Sequence, residues 1–176
     1  MRSPAGTPAV RRARPGDAPE VVRLAELMYR TLGADQTDEA WAQWRRAAVE
    51  AVTTRLGHDI EIMVADGPDG PGGPGGSGRL VACGAGMVSE RMPNPWHAVA
   101  RVGYVQWMST EPAFRRRGLG RAVLRGLLDW FEAAGIDNVE LHASPDGAPL
   151  YRAEGFWAGS AGVAMRRRPW DPPPAP

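Results

Sequence analysis

Seven residues, Arg115-Arg116-Arg117-Gly118-Leu119-Gly120-Arg121, join a stretch patterned as a strand, Val102 to Met108, to a strongly amphipathic stretch, Leu119 to Ala134. Leu119, Val123, Leu124, Leu127, Leu128 and Phe131 recur there at helical spacing, and Gly135 is a natural left-handed stop. The stretch reads as a strand that runs through a glycine-bearing turn into a helix. The same junction is suited to phosphate. Glycine lets backbone approach a ligand closely, and the first N–H groups of a helix lack intrahelical partners and carry the positive end of its dipole. The arginines add cationic donors around the same point. Neither of the commonest nucleotide loops is present. The chain has no lysine for G-x-x-x-x-G-K-[ST], and Val123 breaks G-x-G-x-x-G. What remains is R-x-x-G-x-G at Arg115, Gly118 and Gly120; a basic loop capping an ordinary helix is the plainer alternative for these residues alone.

The 176 residues suffice for one domain with a real core and are short for two. A hydrophobic content of 43% with mean hydropathy −0.34 fits a globular chain, and the apolar runs fall well short of the roughly 18 residues of a membrane span, so no membrane partner is expected. Met1 to Ala9 has no apolar core of a secretory signal, and the expected location is cytoplasmic. The single cysteine, Cys83, excludes an intramolecular disulfide and argues against a metal site; set in the apolar run Leu80 to Met87, it reads as a core thiol. A net charge of +1 does not suggest a nucleic-acid partner. Positive charge gathers locally, at Arg115 to Arg125 and Arg166 to Arg168, which suits a small anionic ligand better than a polyanion.

Along the chain, Ala9 to Arg14 reads as a short strand, and Pro15-Gly16-Asp17 turns it into a helix. Asp17 and Glu20 form a D-x-x-E capping-box pattern before Val21, Leu24, Leu27 and Met28. A second helix is expected from Thr37, striped by Trp41, Trp44, Ala48 and Val52, with Gly57 as its stop. Ile60 to Ala65 and Leu80 to Ser89 read as adjacent antiparallel strands, joined by the flexible Gly- and Pro-rich loop 67–78. Val139, Leu141 and Ala143 alternate with Glu140 and His142 as a strand, Pro149 to Arg152 can form a short helix, and Phe156 to Met165 a last strand. The domain is expected over 9–168, with 1–8 and 169–176 disordered.

The loop, preceded by Met108-Ser109-Thr110-Glu111-Pro112, resembles the acyl-CoA pyrophosphate loop of the GNAT superfamily of N-acetyltransferases. Leu150-Tyr151-Arg152-Ala153-Glu154-Gly155-Phe156 resembles that family's closing signature, L-Y-x-x-x-G-F, about thirty residues further on. The resemblance implies an α/β GNAT fold: a mixed, mostly antiparallel sheet of about six to seven strands, helices on both faces, and a splayed parallel strand pair that binds CoA. It implies acetyl-CoA as co-substrate, no metal, and direct transfer of the acetyl group to a primary amine of a small molecule or protein in a ternary complex. It is compatible with a homodimer, which nothing in the sequence requires.

Carried onto this chain, Met108, Ser109 and Thr110 would present backbone to the pantetheine amides, with an N–H near Met108 as oxyanion donor. Arg115, Arg116, Arg117, Gly118, Leu119, Gly120 and Arg121 would surround the pyrophosphate. Tyr151 stands where many members place the tyrosine that protonates the CoA sulfur, and Ser144 where the family often has an asparagine. The position of the usual strand glutamate falls at Tyr104, with Gln106 nearby, neither an effective base; Glu90, His97 and His142 are the alternatives, or a water chain. Trp96, Trp107 and Tyr104 are candidates for the acceptor pocket, without naming the acceptor. Two other classes stay open from the residues alone: a non-catalytic acyl-CoA-binding module that lost the base, and an anion- or nucleic-acid-binding domain.

Overall fold

The computed structural model describes residues 10–68, 78–93, 95 and 101–158. Their elements, in chain order, are β1 (Val10–Arg12), α1 (Ala18–Thr31), α2 (Asp38–Arg55), β2 (Ile60–Asp66), β3 (Leu80–Glu90), β4 (Arg101–Thr110), α3 (Leu119–Ala133), β5 (Val139–Leu141) and α4 (Ala148–Ala153), with single 3-10 turns at Pro15–Asp17 and Pro112–Phe114. The five strands form one sheet in the order β1-β2-β3-β4-β5. Neighbours are antiparallel except β4 and β5, which run parallel, as a strand following a crossover helix must. A sixth strand at Phe156 to Met165 was expected. Phe156, Trp157 and Ala158 are not in a strand, and the rest of that stretch lies outside the described residues, as do 1–9, 69–77 and the expected tail.

Helices cover both faces of the sheet. On one face, Val21, Val22 and Leu24 of α1 and Ala48 and Val52 of α2 pack on Ile60, Ile62, Val64, Cys83 and Ala85. On the other, Val123, Leu124, Leu127 and Phe131 of α3 pack on Met63, Ala65, Val81 and Val105. Each of those α3 side chains is at most 1% exposed, worth roughly 1.5–3 kcal/mol apiece in burial. The helix lies so close that the strands beneath it carry glycine: a Cβ on Gly103 would stand 2.7 Å from Phe131 Cε1, and one on Gly86 2.9 Å from Phe131 Cζ.

The ends of the helices follow the sequence with one correction. Thr37 caps α2, its Oγ1 accepting the Ala40 N–H at 3.2 Å, and Gly57 and Gly135 sit past their helices at φ 80° and 70°. The Asp17–Glu20 capping box does not form. The Asp17 carboxylate is drawn back instead, accepting the Arg14 N–H at 2.7 Å and pairing with Arg11 at 2.7 Å. Glu20 pairs with Arg23 at 2.9 Å and accepts the Leu80 N–H at 3.1 Å. Two nearby guanidinium groups outbid a single backbone donor.

One irregularity decides where a site can form. Cys83 faces Ser109 and Ala85 faces Gln106, so β4 holds one residue more than β3 between those pairs. Trp107 takes φ 56° at this bulge, opposite Gly84. The bulge turns β4 just where its other neighbour stops: β5 pairs with Gly103, Tyr104 and Val105, and its register ends at Leu141. The β4 backbone from Gln106 to Thr110 therefore extends beyond the β5 ladder.

Candidate active site

The loop after β4 is braced by its own arginines. The side chain of Arg115 folds back, Nε donating to Thr110 O at 3.0 Å, and Arg117 donates to Ala113 O at 3.0 Å while lying over the Phe114 ring. Arg116 and Gly118 adopt left-handed backbone, φ 62° and 82°; for the arginine that conformation costs on the order of 1 kcal/mol, and for glycine nothing. The first hydrogen bond of α3 runs from Ala122 N to Gly118 O at 3.0 Å. The N–H groups of Leu119, Gly120 and Arg121 precede it and point out of the helix end. The Leu119 side chain is buried in the core, so only its backbone faces the loop. What this helix end presents is backbone, and among the described residues a Cβ on Gly120 would have Leu150 Cδ2 at 3.5 Å as its nearest neighbour.

Arg121 does not lie free for an anion. Its Nε pairs with Glu154 at 3.0 Å, and Arg125, one turn on, pairs with the same carboxylate at 2.8 Å. The Glu154 side chain is 8% exposed, and the two guanidinium groups hold its carboxyl below the usual carboxylate range. This clamp, with Leu150 against Gly120, docks α4 on the first turn of α3. Among the described residues, Arg116 is the loop arginine whose side chain has no hydrogen bond or ion pair.

Beside the loop, a cleft of about 90 Å³ is lined by Met28 and Leu32 from α1, Val105, Gln106, Trp107 and Met108 from β4, His142 and Ser144 after β5, and Tyr151 from α4. Ser144 closes the turn into α4: its Oγ accepts the Gly147 N–H at 3.2 Å and its carbonyl the Ala148 N–H at 2.9 Å, leaving the hydroxyl proton to point elsewhere. Tyr151 is half-buried, edge-on to Phe156, and burial pushes its hydroxyl above the usual tyrosine range. It is an acid that keeps its proton at neutral pH. The Tyr104 hydroxyl and His142 Nδ1 are 2.6 Å apart, bridging β4 and the end of β5.

Of the residues singled out from the sequence, the structure brings Gln106, Met108, His142, Ser144 and Tyr151 into one cleft, with Tyr104 bonded to its wall. Ser109 is buried, and Thr110 lies at the loop's origin. Glu90 is exposed at the opposite end of β3, facing Arg101 in register. Trp96 and His97 lie outside the described residues. Trp107 does two things, packing on the α1–α2 core and lining the cleft. Cys83 is buried, which pushes its thiol up to about 12, and it donates toward Trp107 O at 3.4 Å. Sequence reasoning missed Met28 and Leu32 as cleft residues and Glu154 as a clamp. Leu32 carried a signal, a large apolar residue just past the last turn of an amphipathic helix.

Among the described residues no helix is long and apolar enough to cross a membrane, and no group of three His, Cys, Asp or Glu side chains is placed to hold a metal. Residues 29–156 match the Acetyltransferase (GNAT) family. Over 120 residues the sequence is 31% identical to glucosamine 6-phosphate N-acetyltransferase 1 of Oryza sativa subsp. japonica, a match that takes in 68% of this chain and 64% of that protein. Among solved structures, a GCN5-related N-acetyltransferase from Ralstonia eutropha JMP134 superposes with TM-score 0.73 at 25% identity, covering 90% of this chain and 97% of the other. A predicted acetyltransferase with acetyl-CoA from Clostridium acetobutylicum gives 0.72 at 20% identity, covering 90% and 95%, and shares the fold.

Proposed function

The chain belongs to the Acetyltransferase (GNAT) family, and from that premise we propose that it transfers an acetyl group from acetyl-CoA to a primary amine by direct attack in a ternary complex. The observation that carries this reading is the cleft itself. It brings together the β4 residues Gln106, Trp107 and Met108, beyond the β5 ladder, and a tyrosine that holds its proton, on the strand that runs on into the arginine loop.

The chemistry assigns each group a task. The backbone N–H groups of Gly118 to Arg121 bind the pyrophosphate, and the open edge of β4 from Gln106 to Thr110 pairs with the pantetheine amides as a further strand would. The amine nitrogen bonds to the thioester carbonyl carbon, and the N–H near Met108 stabilises the oxyanion that forms. As the carbon–sulfur bond breaks, Tyr151 gives its proton to the departing sulfur and regains one from solvent. The proton lost by the nitrogen goes to His142 Nε2, whose lone pair is free when Nδ1–H donates to Tyr104. The Tyr104–His142 pair thus takes the place of the strand glutamate that this chain lacks.

The test couples calorimetry of CoA with thiol release from acetyl-CoA across a panel of amines. We expect CoA to bind, at least one amine to be turned over, and Tyr151→Phe to lower kcat by roughly 10²-fold or more without changing acetyl-CoA affinity. A protein that does not bind CoA would sink the proposal. One that binds CoA and releases no thiol with any amine would be an acyl-CoA-binding module without catalysis.

A further inference from the structure

The residues that line the cleft are of two kinds. One set is polar, Gln106, His142, Ser144 and Tyr151; the other is carbon, Met28 and Leu32 from the end of α1 with Val105 and Trp107 of β4. Leu32 is 59% exposed, a large apolar side chain left in water at the lip. Trp107 is fixed with its polar atom turned inward: Nε1 donates to Tyr29 Oη at 3.1 Å, and the indole stacks edge-on against Trp44, which also meets Tyr29. The indole N–H is spent on the Tyr29 oxygen, so what Trp107 offers a ligand is its ring.

Among the described residues, the charged side chains of α1 on either side of Met28, Glu26 and Arg30, are both engaged. Glu26 is paired with Arg45 at 2.8 Å and Arg30 at 2.8 Å, and Arg30 lies over the Trp41 ring. On the far side Glu140 is paired with Arg91 at 2.8 Å. A ligand with a second charge would have to break one of these pairs to be met by Glu26, Arg30 or Glu140, whereas a carbon body gains from contact with Leu32 and Trp107 directly.

We propose that the acceptor is a primary monoamine with an apolar body of about the size of an aromatic ring, its nitrogen toward His142 and its body against Met28, Leu32 and Trp107. This rests on the acetyl-transfer reading above and narrows it. It also separates this chain from the rice relative, named for an aminosugar phosphate: a phosphate needs donors, and this wall supplies methionine, leucine and tryptophan.

With acetyl-CoA saturating, thiol release is compared for 2-phenylethylamine, glucosamine 6-phosphate and spermidine, in the wild type and in Leu32→Glu. Because Leu32 is exposed, that substitution leaves the fold intact, and a thermal melt checks this. We expect kcat/KM for 2-phenylethylamine to exceed the other two by roughly tenfold or more, and Leu32→Glu to raise its KM by about tenfold while the KM for acetyl-CoA stays put. A preference for the aminosugar phosphate or the polyamine, or a Leu32→Glu variant with unchanged KM for 2-phenylethylamine, overturns the inference and leaves acetyl transfer standing. Turnover of none of the three with CoA binding intact also overturns it. Absence of CoA binding in calorimetry overturns the acetyl-transfer reading beneath it.

Discussion

Replacing Gly120 by alanine should separate folding from cofactor binding. Gly120 is the second residue of α3, with ordinary helical backbone, and the added Cβ would meet Leu150 Cδ2 at 3.5 Å and Thr110 Oγ1 at 4.0 Å, both normal contacts. Nothing among the described residues resists it. Alanine favours a helix over glycine by roughly 0.5–1 kcal/mol in a helix interior and by less in a first turn, so stability should hold or rise. For a chain of this size the melting temperature should climb by about 1–3 °C. The same methyl group would stand in the mouth of the cradle and keep a phosphate oxygen from the N–H groups of Gly120 and Arg121. Loss of one charge-assisted hydrogen bond costs roughly 1.5–3 kcal/mol, about 10- to 100-fold in the Kd for CoA. Calorimetry of CoA alongside a thermal melt reads both effects on one sample. Wild-type CoA affinity in a folded Gly120→Ala protein would refute the placement of the pyrophosphate at this helix end.

Three further outcomes follow from contacts described above. Glu154→Gln releases Arg121 and Arg125 and loosens α4, so kcat should fall by roughly three- to tenfold through misplacement of Tyr151, with the KM for acetyl-CoA unchanged or lower because Arg121 is freed; an unchanged kcat would show that the clamp does not position Tyr151. Gly103→Val drives a branched side chain into Phe131 and should cost about 3 kcal/mol or more, read as a lowered midpoint in urea; a midpoint equal to wild type would mean that α3 does not ride on the sheet as closely as described. Asp17, Glu26 and Glu111 are each raised by burial but lowered further by arginine partners, and all three end below their ordinary values. A carboxylate whose folded value is depressed contributes stability above its unfolded value, about pH 4, and loses it as pH falls through the folded value. Melting temperature should therefore be level from about pH 5 to 7 and drop steadily below pH 4; equal melting at pH 3 and pH 6 would contradict the three pairings.

The parts of the fold legible in the sequence are those that repeat along it. The stripe Leu119, Val123, Leu124, Leu127 and Phe131 named both the helix and its buried face, and Thr37 and Gly57 marked the ends of α2, because each rests on interactions within a turn or two. The loop was readable for the same reason: its glycines and the helix start are neighbours in sequence. Asp17 misled because its partner Arg11 competes across a turn that the capping pattern ignores. Tyr104 and His142, 38 residues apart, became a pair only through the parallel register of β4 and β5. Tyr151 was placed by resemblance, yet the ion pair at the end of its helix, Glu154 reaching back 33 residues to Arg121, belongs to tertiary docking and left no local mark.

The sheet keeps two cores apart, and the cleft straddles them. Trp107 of the carbon wall packs on the α1–α2 core, whereas Leu119 at the helix start and Tyr151 pack on the α3 core, with a single layer of backbone between. Substitutions that reshape one face need not travel to the other. If the acceptor sits as proposed, exchanging Met28 or Leu32 alters the acceptor wall without changing a residue of the α3 core.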